Sequence, residues 1–490
     1  MTPFPFNNTY ANLPAQFYSR TDPVAVKNPK LIKINLSLAN DLGVDGDFLA
    51  SNHGVDILAG NKIADGSTPI AMAYGGHQFG NWAGRLGDGR AILLGEVINK
   101  NGARFDVQLK GSGPTPYSRG GDGRAWIGPV LREYVLSEAM AALGIPTTRA
   151  LAAVTTGEKV VREEILPGAI LTRVSKGHIR VGTFEYFASN NDFASIKLLA
   201  DYVIARNFPD AVKSANPYLF MLENIITDQA KLIAQWMGVG FIHGVMNTDN
   251  MSVFGETIDY GPCAFMDGYA PDTVYSFIDQ NGRYAYANQP SIASWNLTSL
   301  ASTLLSLIDE NDEDVAIEKA QNAINSFSDI FRNEWSAVLC KKIGIKTQNP
   351  DDSDLAREFL DIMAASKADF TLSFRYLANE LTDSPDEKIF GIIGKNEKLS
   401  NWLDKWKNRL SQEKSTRAEI ISMMNQTNPA FIPRNHRVEY MIKQAVGGNY
   451  FEFEKMLEIL SHPYDEQPEN AAYRMAPNDD EIVRNTFCGT

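Results

Sequence analysis

The sequence predicts an α+β chain in two lobes, mostly β at the N-terminal end and mostly α at the C-terminal end. Three observations predict it. From residue 91, short runs alternate polar and apolar residues with the period of a strand. After about residue 190, apolar residues recur at helical spacing in segment after segment. And 490 residues are too many for one ordinary domain. The change of pattern falls near 175–190, so the lobes are read as 1–180 and 181–490, with a cleft between them.

The elements follow in order. Residues 1–70 are mixed, with a short helix expected at 31–42 ending near Gly43. Ala91–Ile98 and Arg104–Lys110 form a hairpin around the turn signal Asn101-Gly102, so the second strand ends on Lys110. A helix is expected at about 129–143, opening at Pro129 and closing at Gly144 and Pro146. Glu133 and Glu138 lie off its apolar stripe or at its edge. Three strands are expected at 148–154, 158–164 and 168–174, with Thr156-Gly157 as a turn. Helices are then expected at 192–207, 221–238, 297–308, 313–341, 353–381, 416–424, 436–445 and 450–461.

Composition narrows the function classes. Hydrophobic residues make up 44% and charged residues 21%, as in globular chains. A formal charge of −13 disfavours non-specific nucleic-acid binding. Residues 84–132 depart from that balance, with eight Lys and Arg against four Asp and Glu, and many glycines. Such a stretch suits a small polyanion such as a nucleoside triphosphate, or else is a solvated, turn-rich surface. Three cysteines with no CxxC pair exclude a dense disulfide framework. The N-terminal segment lacks the layout of a signal peptide, and no apolar run reaches membrane-spanning length, so a cytoplasmic protein without membrane association is expected.

Three elements carry candidate chemistry. Gly84–Arg90 precedes the first hairpin strand; glycines let a backbone approach an anion, and Arg90 can pair with phosphate. Lys110 ends a strand and Glu133 follows on a helix, the way protein kinases place an ammonium on nucleotide phosphates. Phe241–Asn250 ends in Asn-Thr-Asp-Asn, and Asp259-Tyr260-Gly261 follows; Asn250 and Asp259 suit Mg²⁺ or Mn²⁺. Each alone could be an ordinary turn or surface pair. Their order is that of a protein-kinase fold, so Lys110 and Asp259 must come within about 15 Å of each other to touch one triphosphate. The match fails at the base: the kinase position five residues before Asn250 is Val245, which cannot accept a proton. Asp249 is the replacement. A catalytically dead nucleotide-binding scaffold and a conventional phosphotransferase are the alternatives.

The runs Ala73–Gly80, Leu109–Arg119, Gly121–Ala125 and His243–Met251 resemble the selenoprotein O family, which includes the bacterial YdiU-type proteins, and the similarity extends from about residue 5 to the C-terminus. The resemblance implies a kinase-like fold that holds ATP flipped, so that AMP passes to Ser, Thr or Tyr of proteins and pyrophosphate leaves; UMP transfer from UTP is also implied for bacterial members. By the same resemblance Gly87, Gly89, Arg90, Lys110, Asp122, Gly123, Arg173 and Arg180 contact the nucleotide. Glu133 orients Lys110, Asn250 and Asp259 hold the metal, and Asp249 accepts the proton. Cys488 stands where animal members carry selenocysteine, but Asn485 and Tyr275 occupy the positions of its expected partners. A redox role, including a pairing with Cys263, is therefore in doubt. His77, His178 and His243 have no metal-ligand spacing and are read as structural.

Overall fold

The hairpin at Ala91–Ile98 and Arg104–Lys110 is the centre of the sheet. In the computed structural model, which describes residues 4–486, the N-terminal strands are β1 (Tyr18–Arg20), β2 (Lys30–Ile34), β3 (Ile70–Met72), β4 (Gly76–Gln78), β5 (Asn81–Ala83), β6 (Ala91–Ile98), β7 (Arg104–Lys110), β8 (Ala125–Trp126), β9 (Arg149–Val161) and β10 (Ile165–Ser175). Antiparallel pairing gives the order β1-β3-β6-β7-β10-β9-β2, with β8 on β10, while β4 and β5 form a separate small hairpin. Lys110 pairs with Ala91 on one side and Leu171 on the other, so its side chain is carried by an interior strand.

Both faces of the sheet are covered. Helices α1 (Leu36–Leu42), α2 (Gly46–Ala50) and α3 (Asn52–Leu58) pack Leu42, Leu49 and Leu58 against Leu94, Val107 and Ile170. Helix α4 (Ile127–Ala142) covers the opposite face, where Leu93 and Leu171 meet Leu131 and Val135. This core runs on into the helical part: α5 (Val181–Ser189), α6 (Phe193–Asn207), α7 (Pro217–Gly238), α8 (Gln289–Thr303), α9 (Leu305–Ile308), α10 (Glu313–Lys342), α11 (Asp352–Ser366), α12 (Phe370–Leu377), α13 (Lys388–Ile393), α14 (Glu397–Leu410), α15 (Arg417–Thr427), α16 (Asn435–Val446) and α17 (Phe451–Leu460). Local chemistry sets the starts: Asn216 caps α7 ahead of Pro217, Asp192 caps α6, and Thr416 with Glu419 makes a capping box on α15. The chain is thus mixed α and β, with its sheet in the first 175 residues. Among the described residues no helix is long and apolar enough to cross a membrane.

Several expectations are corrected. Residues 31–42 are a strand and then a helix, because Asn35 breaks the run and caps α1 with its side chain. The three strands expected at 148–174 are two. The turn lies at 162–164, and Thr156-Gly157 sits inside β9 near a register shift, with Gly157 at φ 70°. The helix expected at 353–381 breaks at Lys367, where φ is 50°, and restarts under the cap of Asp369. Helices α2, α3, α5, α13 and α14 were not foreseen, and the helix expected at 297–308 is α8, which already starts at Gln289, followed by the separate α9. Helix α4 starts two residues before Pro129, and Glu133 is buried rather than peripheral, since it faces Lys110 of β7 and Arg173 of β10, while α16 and α17 cover Arg132 and Tyr134 on the other side.

Candidate active site

Two short strands, β11 (Phe241–Ile242) and β12 (Ala264–Phe265), pair with each other and bracket the loop from His243 to Cys263. Backbone bonds stitch that loop to the sheet end of the chain. Val181 N donates to Met251 O, Val253 N to Ile179 O, and Thr148 N to Thr257 O. The loop therefore stands over the ends of β7 and β10, and a cavity of about 660 Å³ lies between. That is an ordinary size for a small-molecule site.

Every candidate residue from the sequence lines this one cavity. At its centre Lys110 Nζ sits 2.5 Å from Glu133 Oε2 and 2.9 Å from Asp259 Oδ1. Arg173, on β10, reaches Asp259 Oδ1 at 2.6 Å and Glu133 Oε1 at 3.1 Å, while Gln108 Oε1 accepts from its Nε and Nη2. Arg180, the residue ahead of α5, bridges two parts of the loop, donating to Asp249 O at 2.7 Å and pairing with Asp259 Oδ2 at 2.9 Å. Its guanidinium also stacks 4.5 Å over the ring of Tyr74. Burial works against the charge on Asp259, but Lys110, Arg180 and Arg173 outweigh it and hold the carboxyl well below its usual range. Asp259 has φ 62°, a conformation uncommon outside glycine though better tolerated by aspartate than by most residues, and the kind that gathers at functional sites.

Asp249 and Asn250 lie on a single 3₁₀ turn, Thr248–Asn250. Asn250 gives its amide nitrogen to Val245 O at 3.0 Å, which leaves its side-chain oxygen as an acceptor or ligand. Asp249 is buried. Gln78 Nε2 donates to its Oδ2 at 3.0 Å, and its Oδ1 has no hydrogen-bond partner among the described residues. Burial pushes its carboxyl up to about 6, against the pull of Gln78 and Arg180.

The glycine loop is held by an aromatic ring. Gly87 has φ 64°, and a Cβ there would lie 2.3 Å from the ring of Tyr117; a Cβ on Gly89 would meet Tyr117 O at 2.8 Å. Gly123 is as tightly held, since a Cβ would strike Gly113 O at 2.1 Å. Arg90 lines the cavity beside this loop. Asp122 is at the rim, gripped by both terminal nitrogens of Arg162 at 2.9 and 3.0 Å.

The basic stretch at 84–132 contributes only in part. Arg104 and Arg132 turn away, to Asn7 and Glu96 and to Cys263 O and Asn435. Arg162, Arg173 and Arg180 replace them, and the cavity wall carries seven basic side chains against five acidic ones. That excess suits a polyanion.

Sequence reasoning missed Asp88, Gln78, Gln108 and Arg162. Asp88 is buried on the wall, accepting from Met72 N at 3.1 Å and Gln108 Nε2 at 3.2 Å, and burial raises its carboxyl. Its place within Gly87-Asp88-Gly89 was the available signal. The histidines are otherwise engaged: His77 with Glu185, His178 with Asp106, His243 with Ile258 O. Cys263 is buried. Cys488 lies outside the described residues, so the pairing considered for it does too.

Comparison with known proteins agrees along the whole length. A protein nucleotidyltransferase YdiU of Bradyrhizobium sp. strain BTAi1 is 55% identical over 488 residues, covering 99% of both chains. Its counterpart in Rhodopseudomonas palustris strain BisB18 is 54% identical with the same coverage. The one in Rhizobium johnstonii is 54% identical over 489 residues, covering 99% of this chain and 97% of its own. The profile of the protein adenylyltransferase SelO family matches residues 2–461, and the chain belongs to that family.

Proposed function

We propose that the cavity holds ATP and that the chain transfers AMP from it to Ser, Thr or Tyr hydroxyls of proteins, with pyrophosphate leaving. The observation that carries this reading is the cluster of Lys110, Arg173 and Arg180 on one carboxylate, Asp259, in a cavity with an excess of positive charge. The two parts, 1–180 and 181–490, act as the lobes of a protein-kinase-like arrangement. The order of strand lysine, helix glutamate, loop asparagine and metal aspartate supports that assignment.

Mg²⁺ or Mn²⁺ fits Asn250 and Asp259. Both are oxygen donors on the wall, and the Asn250 amide is already turned so that its oxygen is left over. Among the described residues no three or more His, Cys, Asp or Glu gather into a metal cage. Mg²⁺ does not need one, since it binds through one or two protein oxygens plus phosphates and waters. When bound, the ion neutralises charge building on phosphate oxygens.

The chain's own residues do the rest. Lys110, with Arg173 and Arg180, presents positive charge to the phosphates, and Glu133 keeps the lysine in place. Gly87, Gly89 and Gly123 let the wall that faces the nucleotide pack closely on Tyr117 and Gly113, with Arg90 beside them and Asp122 at the rim. Asp249 takes the proton of the attacking hydroxyl on its unpartnered oxygen. Attack at the α-phosphorus forms the new O–P bond as the bond to pyrophosphate breaks.

Incubating the protein and a heat-inactivated cell lysate with ATP labelled on the α- or the γ-phosphate tests this. AMP transfer leaves α-label on protein and none from γ-label. The reverse pattern would make the chain a phosphotransferase, and no label from either would make it a scaffold.

A further inference from the structure

The run Ala73–Gly80 supplies Tyr74 beneath Arg180 and Gln78 beside Asp249, and no part in the reaction has yet been given to it. In the structure it supplies β4 and the turn of the β4–β5 hairpin, which lies against the turn carrying Asp249. His77 N donates to Thr248 Oγ1 at 2.6 Å, and Phe79 N donates to Asn247 Oδ1 at 3.1 Å. Gly75 N bonds Gly182 O at the start of α5. The approach is close: a Cβ on Gly76, at φ 152°, would lie 3.0 Å from the Cβ and backbone nitrogen of Asp249, tighter than an ordinary contact.

Between the two backbone anchors stands Gln78. Its amide is the one side chain among the described residues that donates to the Asp249 carboxylate. A carboxylate can only accept, so the amide nitrogen must face it. With Oδ2 held by Gln78, rotation of the carboxylate is restrained, and the buried, unpartnered Oδ1 is left over. A lone carboxylate on a short turn has two free torsions, and a base must meet its proton at hydrogen-bond distance.

We propose that Gln78 is a positioning residue for the transfer reaction: its amide holds Oδ2 of Asp249 so that Oδ1 is presented to the acceptor hydroxyl. The proposal rests on Asp249 as the proton acceptor. The proton of the acceptor hydroxyl moves to Oδ1 as its oxygen bonds the α-phosphorus and pyrophosphate leaves. Gln78 makes and breaks no covalent bond. The hairpin's grip on the turn does not depend on its side chain, because His77 and Phe79 hold through their backbones.

A double-mutant cycle tests it. Wild type, Gln78→Met, Asp249→Ala and the double variant are compared in single-turnover AMP transfer to an acceptor protein marked in the α-label experiment. Gln78→Leu, similar in size and with neither donor nor charge, serves as a second variant in case Gln78→Met folds poorly. The expected result is a rate loss of about 10-fold or more for either Gln78 variant, with KM for ATP within about two-fold of wild type, and no further loss when Gln78→Met is added to Asp249→Ala. Equal losses in both backgrounds would overturn the proposal, as would a parallel fall in ATP affinity and rate. If Asp249→Ala itself stays within a few-fold of wild type, the base assignment falls and the role of Gln78 with it, while AMP transfer stands on the α-label result.

Discussion

Lys110 Nζ and Asp259 Oδ1 lie 2.9 Å apart, although 149 residues separate them in the chain. The contact joins the end of an interior strand to a loop held at positive φ, and it lies well inside the separation that one bound triphosphate demands. Asp259 is also the shared partner of Arg173 and Arg180. One carboxylate thus balances three cations that a nucleotide would otherwise meet, so binding trades one anionic partner for another.

Lys110→Ala is expected to lower AMP transfer by about 100-fold or more, since a preorganised charge aimed at the phosphates is lost. Lys110→Arg is expected not to restore it. The ammonium fits as a point between two oxygens at 2.5 and 2.9 Å, where a guanidinium fork has no room. Transfer rate and ATP binding by calorimetry check both variants.

Asp259→Ala is expected to abolish turnover and to remove the gain in ATP affinity that Mg²⁺ brings, while affinity for metal-free ATP is kept, because Arg180 loses its carboxylate partner and Lys110 and Arg173 are left with the Glu133 carboxylate alone. Breaking a buried ion pair from one side costs about 3–5 kcal/mol, so melting temperature should fall in the absence of nucleotide. Binding titrations with and without Mg²⁺ separate the two effects; retained turnover at ordinary Mg²⁺ rules out the metal role.

Asp249→Ala is expected to slow transfer by about 10²–10⁴-fold, the range of general-base catalysis, with nucleotide and metal binding kept. A side chain important only for folding would lower rate, affinity and melting temperature together. Single-turnover rates at saturating ATP and metal, beside a binding titration, decide between them.

Much of this site was legible because its chemistry resides in residue types with few alternative uses. A lysine ending a strand, Asn250 and Asp259 nine positions on were each ambiguous alone, and their order along the chain joined them. Contacts across long separations were not legible. Gln78 meets Asp249 over 171 positions, and nothing local to the Ala73–Gly80 run announces a partner. Glu133 looked peripheral because helical periodicity assumes one buried face, and α4 is buried on several. The strand β9 looked like two because Gly157 signals a turn as readily as the irregularity it makes.

Away from the site, Lys342 gives a pH prediction. It is buried at the end of α10, with Nζ 4.3 Å from the ring centre of Phe374 and 5.3 Å from that of Phe370, and it makes no ion pair among the described residues. Burial lowers its pKa from 10.5 to about 7. The unfolded chain then holds more protons than the folded one between about pH 7 and 10.5, so this group makes stability rise with pH across that window. Lys342→Met is expected to raise stability at pH 7 and to flatten the slope by up to about 1.4 kcal/mol per pH unit. Denaturant melts at pH 7, 8 and 9 check it; an unchanged slope contradicts it.

The most direct measurement is the mass of a modified acceptor. An acceptor protein found by α-labelling is incubated with ATP and Mg²⁺ and with wild type or Asp259→Ala, then weighed intact and sequenced by fragmentation. The account predicts a gain of one AMP on a Ser, Thr or Tyr hydroxyl with wild type and none with Asp259→Ala. A gain of one phosphate, or an equal gain with both proteins, would contradict it.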